Sequence, residues 1–439
     1  MLKRALTIAM AFVGLIIGAG FASGQETLQF FSSFGAGGLW GAGIAGIVMI
    51  VAGAGLLQLG SYFRANEHTQ VLDRVAMPLT AKFLDVSIMV TLFCTGFVMF
   101  AGAGSNLEQQ FNLPVWVGAT LMLALVLGAG LLDVDAVGRV IGAITPFIIV
   151  FLVLASVWAL IHTDLSLAEA DAYANAELSS SLPNWWISAL NYVGLCMIMA
   201  VSMTIVIGGN HFLPRSAGYG GLLGGIIYGA LLTLAAAALL FSAPDVADQD
   251  LPMLALVDEI NPTLSIGMAV VIYMMIFNTA IGMFYALGKR MTANRPERFY
   301  PLFAVACVIG YGLSFIGFTQ LVAVVYPALG YIGIALIGVL VFGWLRQRSE
   351  IMDEHKRRGR IQKLARKKAD PDEEFTKSDQ KKLDAAVAES NVEDDEMRQA
   401  AADDVAAVLA KDEDSSFQEG DEIVLHDEST TAKDTPEAR

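Results

Sequence analysis

Charge is scarce where this chain is long. Residues 1–348 hold 13 Lys and Arg with 17 Asp and Glu, whereas the remaining stretch holds 15 and 26, so most of the net charge of −15 belongs to the last quarter. Cysteine is nearly absent: Cys94, Cys196 and Cys307 each lie inside an apolar run with no CxxC pairing. That excludes a disulfide framework and a cysteine-rich zinc site, and leaves three small buried hydrophobes. Histidine is sparse too, and His68, His162, His211, His355 and His426 fall in loops, at span edges or in the tail. HExxH, GxSxG and P-loop patterns are all missing, so metal-assisted hydrolysis, acyl transfer and nucleotide coupling lack their usual parts.

What fills the chain is apolar. Hydrophobic residues make up 55%, charged residues 16%, and mean hydropathy is +0.57, values of a polytopic membrane protein. Apolar segments long enough for about 30 Å of hydrocarbon fall near 6–34, 39–63, 82–105, 115–133, 138–161, 185–208, 217–242, 263–288, 299–316 and 319–345. Lys3 and Arg4 ahead of the first segment would also suit a signal peptide, but with nine further segments behind it the first reads as an uncleaved span. With the N-terminus in the cytoplasm, all 13 basic residues of this part, Arg139 among them, fall on the inner side. The opposite connections hold Asp164, Asp171, Asp245, Asp250 and Asp258 instead. The positive-inside rule therefore supports ten transmembrane helices in the cell (cytoplasmic) membrane, with both termini cytoplasmic. It also accounts for the basic residues without nucleic acid.

The first segment is the exception to its own hydrophobicity. Gly18-Ala19-Gly20-Phe21-Ala22-Ser23-Gly24-Gln25-Glu26 puts glycines, a hydroxyl, an amide and a carboxylate at bilayer depth. Non-helical backbone there is tolerated only inside protein or beside a cavity, and an intramembrane ionisable residue marks a functional site. A helix broken at this point offers carbonyls to a cation and N–H groups to a carboxylate. Ten spans divide into five plus five, and an odd number per half inverts the second half, giving an inverted repeat. The partner of the first segment is then the sixth, where Asn191, Tyr192 and Gly194 predict a second interruption; the partner of the third is the eighth, with Tyr273, Asn278 and Thr279 inside it.

Phe21-Ala22-Ser23-Gly24 partly resembles the GxSG serine of rhomboid proteases, with Phe21 in place of the first glycine. A serine nucleophile needs a base, and no histidine lies at this depth, so the chain reads as no enzyme. The run Ile17 to Glu26 followed by Leu28-Gln29-Phe30-Phe31 resembles the first helix of the YkvI-type membrane proteins. Those in turn resemble the LeuT-fold transporters of the amino acid–polyamine–organocation superfamily, over residues 1–348. The resemblance implies an all-α membrane protein with ten transmembrane helices in a LeuT-like 5+5 inverted repeat. It implies a sodium site between the carbonyls of Gly18 and Phe21 and the side chains of Asn278 and Thr279, with Asn278 standing where the family has a hydroxyl residue. It places substrate against Gly20, Ala22, Ser23, Gly24, Gln25 and Glu26 and against Asn191, Tyr192 and Gly194.

The expectation is a secondary active transporter of a small organic solute, an amino acid or related amine, coupled by alternating access to a sodium or proton gradient. Beyond Na+ as coupling ion no cofactor is expected. The alternative is a transporter-like membrane sensor or scaffold signalling through its tail. Residues 349–369 form a basic juxtamembrane segment suited to anionic lipids. From 370 to 439, acidic blocks such as Glu393-Asp394-Asp395-Glu396 and Asp412-Glu413-Asp414 predict a disordered or loosely helical cytoplasmic tail. Within it Met397, Ala401, Val405 and Val408 keep helical spacing, as a segment that binds a cytoplasmic protein partner would.

Overall fold

The computed structural model describes residues 2–131, 145–293, 295–370 and 373–410, together with Ile423 and Leu425. The ends of two expected segments, at 132–133 and 138–144 with Arg139, lie outside the described residues, as do Asp412-Glu413-Asp414 and His426. Among the described residues no strand occurs. The first expected segment is three helices, α1 (Leu2–Ile16), α2 (Ala19–Ser23) and α3 (Gln25–Phe30). Then come α4 (Gly35–Phe63), α5 (His68–Val75), α6 (Pro78–Phe111), α7 (Val115–Ala129), α8 (Thr145–His162) and α9 (Leu167–Glu177). The second half runs through α10 (Trp185–Gly209), α11 (Pro214–Phe241), α12 (Ala243–Val246), α13 (Pro252–Ile260), α14 (Pro262–Met291), α15 (Phe299–Ser314) and α16 (Phe318–Arg346). The tail supplies α17 (Arg348–Ala369), α18 (Lys377–Ala388) and α19 (Asp394–Leu409).

Among the described residues, seven helices are long and apolar enough to cross a membrane. The other three expected segments are the broken first one, the 15-residue α7 and the 16-residue α15. The ends of the helices sort by charge. At the basic end Ser61 Oγ donates to the His211 carbonyl (2.6 Å) and Arg290 to Asp85 (2.9 Å). At the acidic end the Ala36 N–H donates to Asp171 (2.7 Å) and Ser32 Oγ to the Ala236 carbonyl (3.0 Å).

Small residues set how closely these helices pack, since lipid offers no hydrophobic drive for association. α4 crosses α11 where Gly46 faces Gly229; a Cβ on either would lie 3.0 or 2.8 Å from the other's Cα. Phe12 of α1, fully buried, fills the notch at Gly53 on the same surface. This holds the first half of the broken helix against α4 and α11 and fixes where the break falls.

One expectation is corrected here. α10, the sixth segment, is continuous from Trp185 to Gly209 and not interrupted. Two of its polar side chains reach neighbouring segments without opening their own helix: Ser188 Oγ donates to the Phe30 carbonyl (2.6 Å) and Asn191 Nδ2 to the Pro327 carbonyl (2.9 Å). Of the tail, expected to be disordered or loosely helical, the described part forms α18 and α19, packed on α17. Leu383, Val387, Met397, Ala401 and Val405 form a core with Ile361 and Ala365 and with Phe212 and Leu213 of the α10–α11 connection. Each helix alone is too polar to fold, and together they share one apolar seam.

Arg358 fastens this tail to the bundle. It is fully buried, donates through Nη1 to the carbonyls of Ser61 (2.8 Å) and Phe212 (3.2 Å), through Nη2 to that of Tyr62 (2.8 Å), and through Nε to Glu354 (2.8 Å). Ser61 and Tyr62 end α4, so the guanidinium sits on the last carbonyls of the helix, at the negative end of its dipole, sharing them with the Arg64 N–H and Asn391 Nδ2. Lys367 pairs with Asp379 (2.8 Å), so part of the basic segment serves protein contacts. Replacing Arg358 by Ala would leave the Phe212 carbonyl without its donor, while Arg357 and Ser390 still donate to Glu354, the Arg64 N–H to Ser61 and Asn391 to Tyr62; a stability loss of about 1–3 kcal/mol is expected. Limited proteolysis should then cut within 370–410 faster than in the parent.

Candidate functional site

The first segment breaks twice, each time for a local reason. Hydrogen bonding in α1 ends as the Ile17 N–H reaches the Val13 carbonyl (2.8 Å), and Gly18 is extended at φ −95°, ψ −178° before the Ala22 N–H picks up the Gly18 carbonyl (3.0 Å). Gly24 then takes φ +83°, a left-handed conformation open to glycine at little cost. Ser23 bridges this second break: its Oγ donates to the Gly20 carbonyl (2.8 Å) and accepts from the Gln25 N–H (3.3 Å). Its hydroxyl is therefore structural, not nucleophilic.

The kinks turn Glu26 back toward the first break. Its side chain lies over Gly20, and a Cβ there would overlap the carboxylate. Glu26 is 5% exposed, and the side chain that hydrogen-bonds it is Tyr192, whose Oη donates to Oε2 at 3.3 Å. Tyr192 Oη also shares a hydrogen bond with Tyr228 Oη (2.7 Å), and Cys196 Sγ lies 3.8 Å from Tyr228 Oη. Aromatic rings wall the cluster: Phe21 beside Tyr228 with centroids 5.2 Å apart, Phe30 and Phe31 beside Tyr192 at 5.3 and 5.0 Å. Among the described residues no basic side chain pairs with Glu26, while Gln25 Oε1 and Tyr326 Oη are buried without a hydrogen-bond partner. The carboxylate faces a cavity of about 10 Å³, lined also by Gly18, Met99, Cys196, Met199, Thr279 and Tyr326. That is room for about one water.

The structure thus brings Gly20, Ser23, Gly24, Gln25, Glu26 and Tyr192 together, with Ala22 buried in the core behind them. Asn191 and Gly194 face α16 instead. Asn191 bonds Pro327, and Gly194 packs against Gly330 and Gly333 so closely that a Cβ on any of the three would overlap the facing helix. The point beside Gly18 where a Cβ would lie is 3.9 Å from Thr279 Oγ1 and 4.0 Å from the Ile16 carbonyl. Thr279 Oγ1 donates to the Met275 carbonyl (3.0 Å), the Phe21 carbonyl accepts from the Gly24 N–H (3.1 Å), and Asn278 is half-buried next along the helix. Each of these oxygens keeps a lone pair for a cation. Sequence reasoning missed Tyr228, Tyr326, Cys196 and Met199. The signal was the spacing of Tyr192, Cys196 and Met199, four and then three residues apart on one helix face.

The two ends of the bundle differ. At the acidic end Asp250 accepts from Ser105 Oγ (2.6 Å) and Thr319 Oγ1 (2.5 Å), Gln109 exchanges two hydrogen bonds with the main chain of Leu251 (3.0 and 2.9 Å), and Gln29 Nε2 donates to the Thr319 carbonyl (3.2 Å). These bonds stitch α3, α6, α16 and the α12–α13 connection shut. At the basic end a vestibule of about 420 Å³ opens between α5, α6, α10 and α14, lined by His68, Asp85, Met199, Ser202 and Arg290 among others. Burial holds His68 below its ordinary pKa although Asp85 works against this. A neutral ring fits its contacts, Nε2–H donating to Asp85 (3.3 Å) and Nδ1 accepting from Ser202 Oγ (3.0 Å).

No family model matches the chain. It is 25% identical over 334 residues to the membrane protein YkvI of Bacillus subtilis (strain 168), a match covering 76% of this chain and 94% of that one. YyaD of the same organism is 25% identical over 336 residues, with the same coverage. Among solved structures, the inward-facing conformation of Mhp1 superposes with a TM-score of 0.55 at 14% identity, over 78% of this chain and 77% of that one. Mhp1 is a transporter of the nucleobase-cation-symport-1 family. At this identity the likeness bears on fold. The chain is therefore similar in sequence to the YkvI and YyaD membrane proteins and carries the LeuT-type fold of Mhp1.

Proposed function

We propose that this chain is a secondary transporter of a small amine-bearing solute, an amino acid or related amine, driven by sodium or protons through alternating access. Ten crossings in a 5+5 inverted repeat, in the cytoplasmic membrane with both termini inside, complete the reading; the basic end is then cytoplasmic. The observation that carries it is Glu26: a buried carboxylate at a helix break, paired with no cation among the described residues and placed between a stitched outer end and an open inner vestibule. Leaving such a charge unpaired costs several kcal/mol. The site is completed by a proton or by a cationic group, and Tyr192, Tyr228 and Tyr326 offer the ring faces and hydroxyls that an ammonium accepts. A cavity of about 10 Å³ is too small for any solute, so loading requires the halves of the bundle to move. Sodium beside Gly18 and Thr279 is the second candidate coupling ion.

The test is a thermal-shift screen of amino acids and amines, with sodium and potassium compared at two pH values, followed by uptake into proteoliposomes under an imposed gradient. Stabilisation by no amine, with no gradient-driven uptake, overturns the reading. A sensor is the second reading, favoured by the tail docked on α4 and the α10–α11 connection through Arg358. Deleting residues 370–439 separates the two: flux persists in a transporter, whereas a sensor keeps solute binding and loses its output.

A further inference from the structure

One methionine separates the two spaces at the basic side of the site. Among the described residues Met199 alone lines both the 10 Å³ cavity faced by Glu26 and the 420 Å³ vestibule. It stands on α10 about one turn after Cys196, which lines the cavity, and one turn before Ser202, which lines the vestibule. One face of this helix therefore runs from the carboxylate to the open end. An unbranched thioether with three rotatable bonds suits a plug that must leave and return.

The helix carrying this plug is tethered just beyond it. Ser202 Oγ bonds His68 Nδ1 (3.0 Å), and His68 Nε2 faces Asp85 Oδ1 (3.3 Å). Arg290 Nη2 donates to both oxygens of Asp85 (2.9 Å each), and Arg290 Nη1 lies 3.6 Å from Glu67 Oε2. Lys289 lines the same vestibule. The chain crosses from α10 through α5 and α6 to α14, and Ser202 to His68 is its link to α10.

We propose that Met199 is the inner gate of the Glu26 cavity and that the Ser202–His68–Asp85–Arg290 chain positions it. The cavity's role as a solute site rests on the reading above, whereas the gate itself is tested without solute. Cys196, 5% exposed behind Met199, is a native reporter, and Cys307, fully buried and lining neither space, is a native control for general loosening.

The experiment uses the full chain with Cys94→Ser in lipid nanodiscs, a small cationic methanethiosulfonate as probe, and modification at each cysteine followed by mass spectrometry. Met199→Ala is expected to speed Cys196 modification about tenfold, because local opening limits the rate, and Met199→Leu to leave it unchanged. Ser202→Ala and His68→Ala are expected to give smaller increases, and His68→Asn to return part of the way to the parent. An unchanged rate in Met199→Ala, or an equal rise at Cys307, overturns the gate. A parental rate in His68→Ala, or no rescue by His68→Asn, overturns the positioning chain. Since no uptake is read, failure of the transport reading would show elsewhere, as missing solute binding with the gate result intact.

Discussion

Glu26→Gln is expected to lower gradient-driven uptake at least about a hundredfold, the scale of two to three kcal/mol of lost cation interaction, while leaving the protein as stable as the parent or more so. The two halves of this result come from one fact. Among the described residues, Glu26 is buried with a single tyrosine hydroxyl as side-chain partner and no basic residue beside it. A charge so placed contributes nothing to the empty fold, and a neutral amide of the same shape removes its desolvation cost while still accepting from Tyr192. A side chain that only packed would lose stability and keep flux; one that handles a cation does the reverse. Solute exchange without a gradient resolves which cation. If Glu26 carries the coupling proton, Glu26→Gln keeps exchange and loses accumulation; if it holds the substrate amine, both vanish. Parental uptake by the variant would end the assignment of this site.

That Glu26 stood out in the sequence at all follows from contrast. Gly18 to Glu26 is the polar, glycine-rich stretch of a segment that should face lipid, and hydrocarbon makes such contrasts costly enough to be informative. The same logic overreached at the sixth segment. Asn191 and Gly194 look like Gly18 and Gln25 in a one-dimensional reading, yet one bonds the carbonyl of Pro327 and the other lets α16 approach, both without opening the helix. Polar and small residues inside a span serve helix packing as readily as breaks, and the difference lies in what faces them.

Residues that act through neighbours from distant segments were invisible for that reason. Tyr228 joins the site because α11 packs on α1 and α4, Tyr326 because α16 packs on α10. Arg358 shows the limit at the tail. In the sequence it belongs to a run of cations beside the last span, and its Glu354 partner four residues earlier reads as an ordinary surface pair. Its burial comes from the carbonyls of Ser61, Tyr62 and Phe212, which are some 150 to 300 residues away in sequence. The apolar stripe of Met397, Ala401 and Val405 was legible, but its partner was not, and it is this chain's own α17 and α18.

Gly20→Ala should change sign with its background. In the parent, the new Cβ would overlap the Glu26 carboxylate, and the space it faces is a cavity of about 10 Å³. The carboxylate must leave Tyr192 for a place with no better partner, so a loss of about 1–3 kcal/mol is expected, the usual scale of overpacking. Uptake should fall with it, and Gly20→Leu, with more to place, should abolish uptake. In a Glu26→Ala background the overlapping atoms are gone. What remains is the helix preference of Ala over Gly, up to about 1 kcal/mol in the stabilising direction, at a position where α2 is already helical. Unfolding of the four proteins in one detergent closes the double-mutant cycle, and the expected coupling is about 1–4 kcal/mol. Equal effects of Gly20→Ala in both backgrounds would mean that the carboxylate does not rest on Gly20. The glycine would then be needed for helix packing, and the contact that joins the break to the site would be lost.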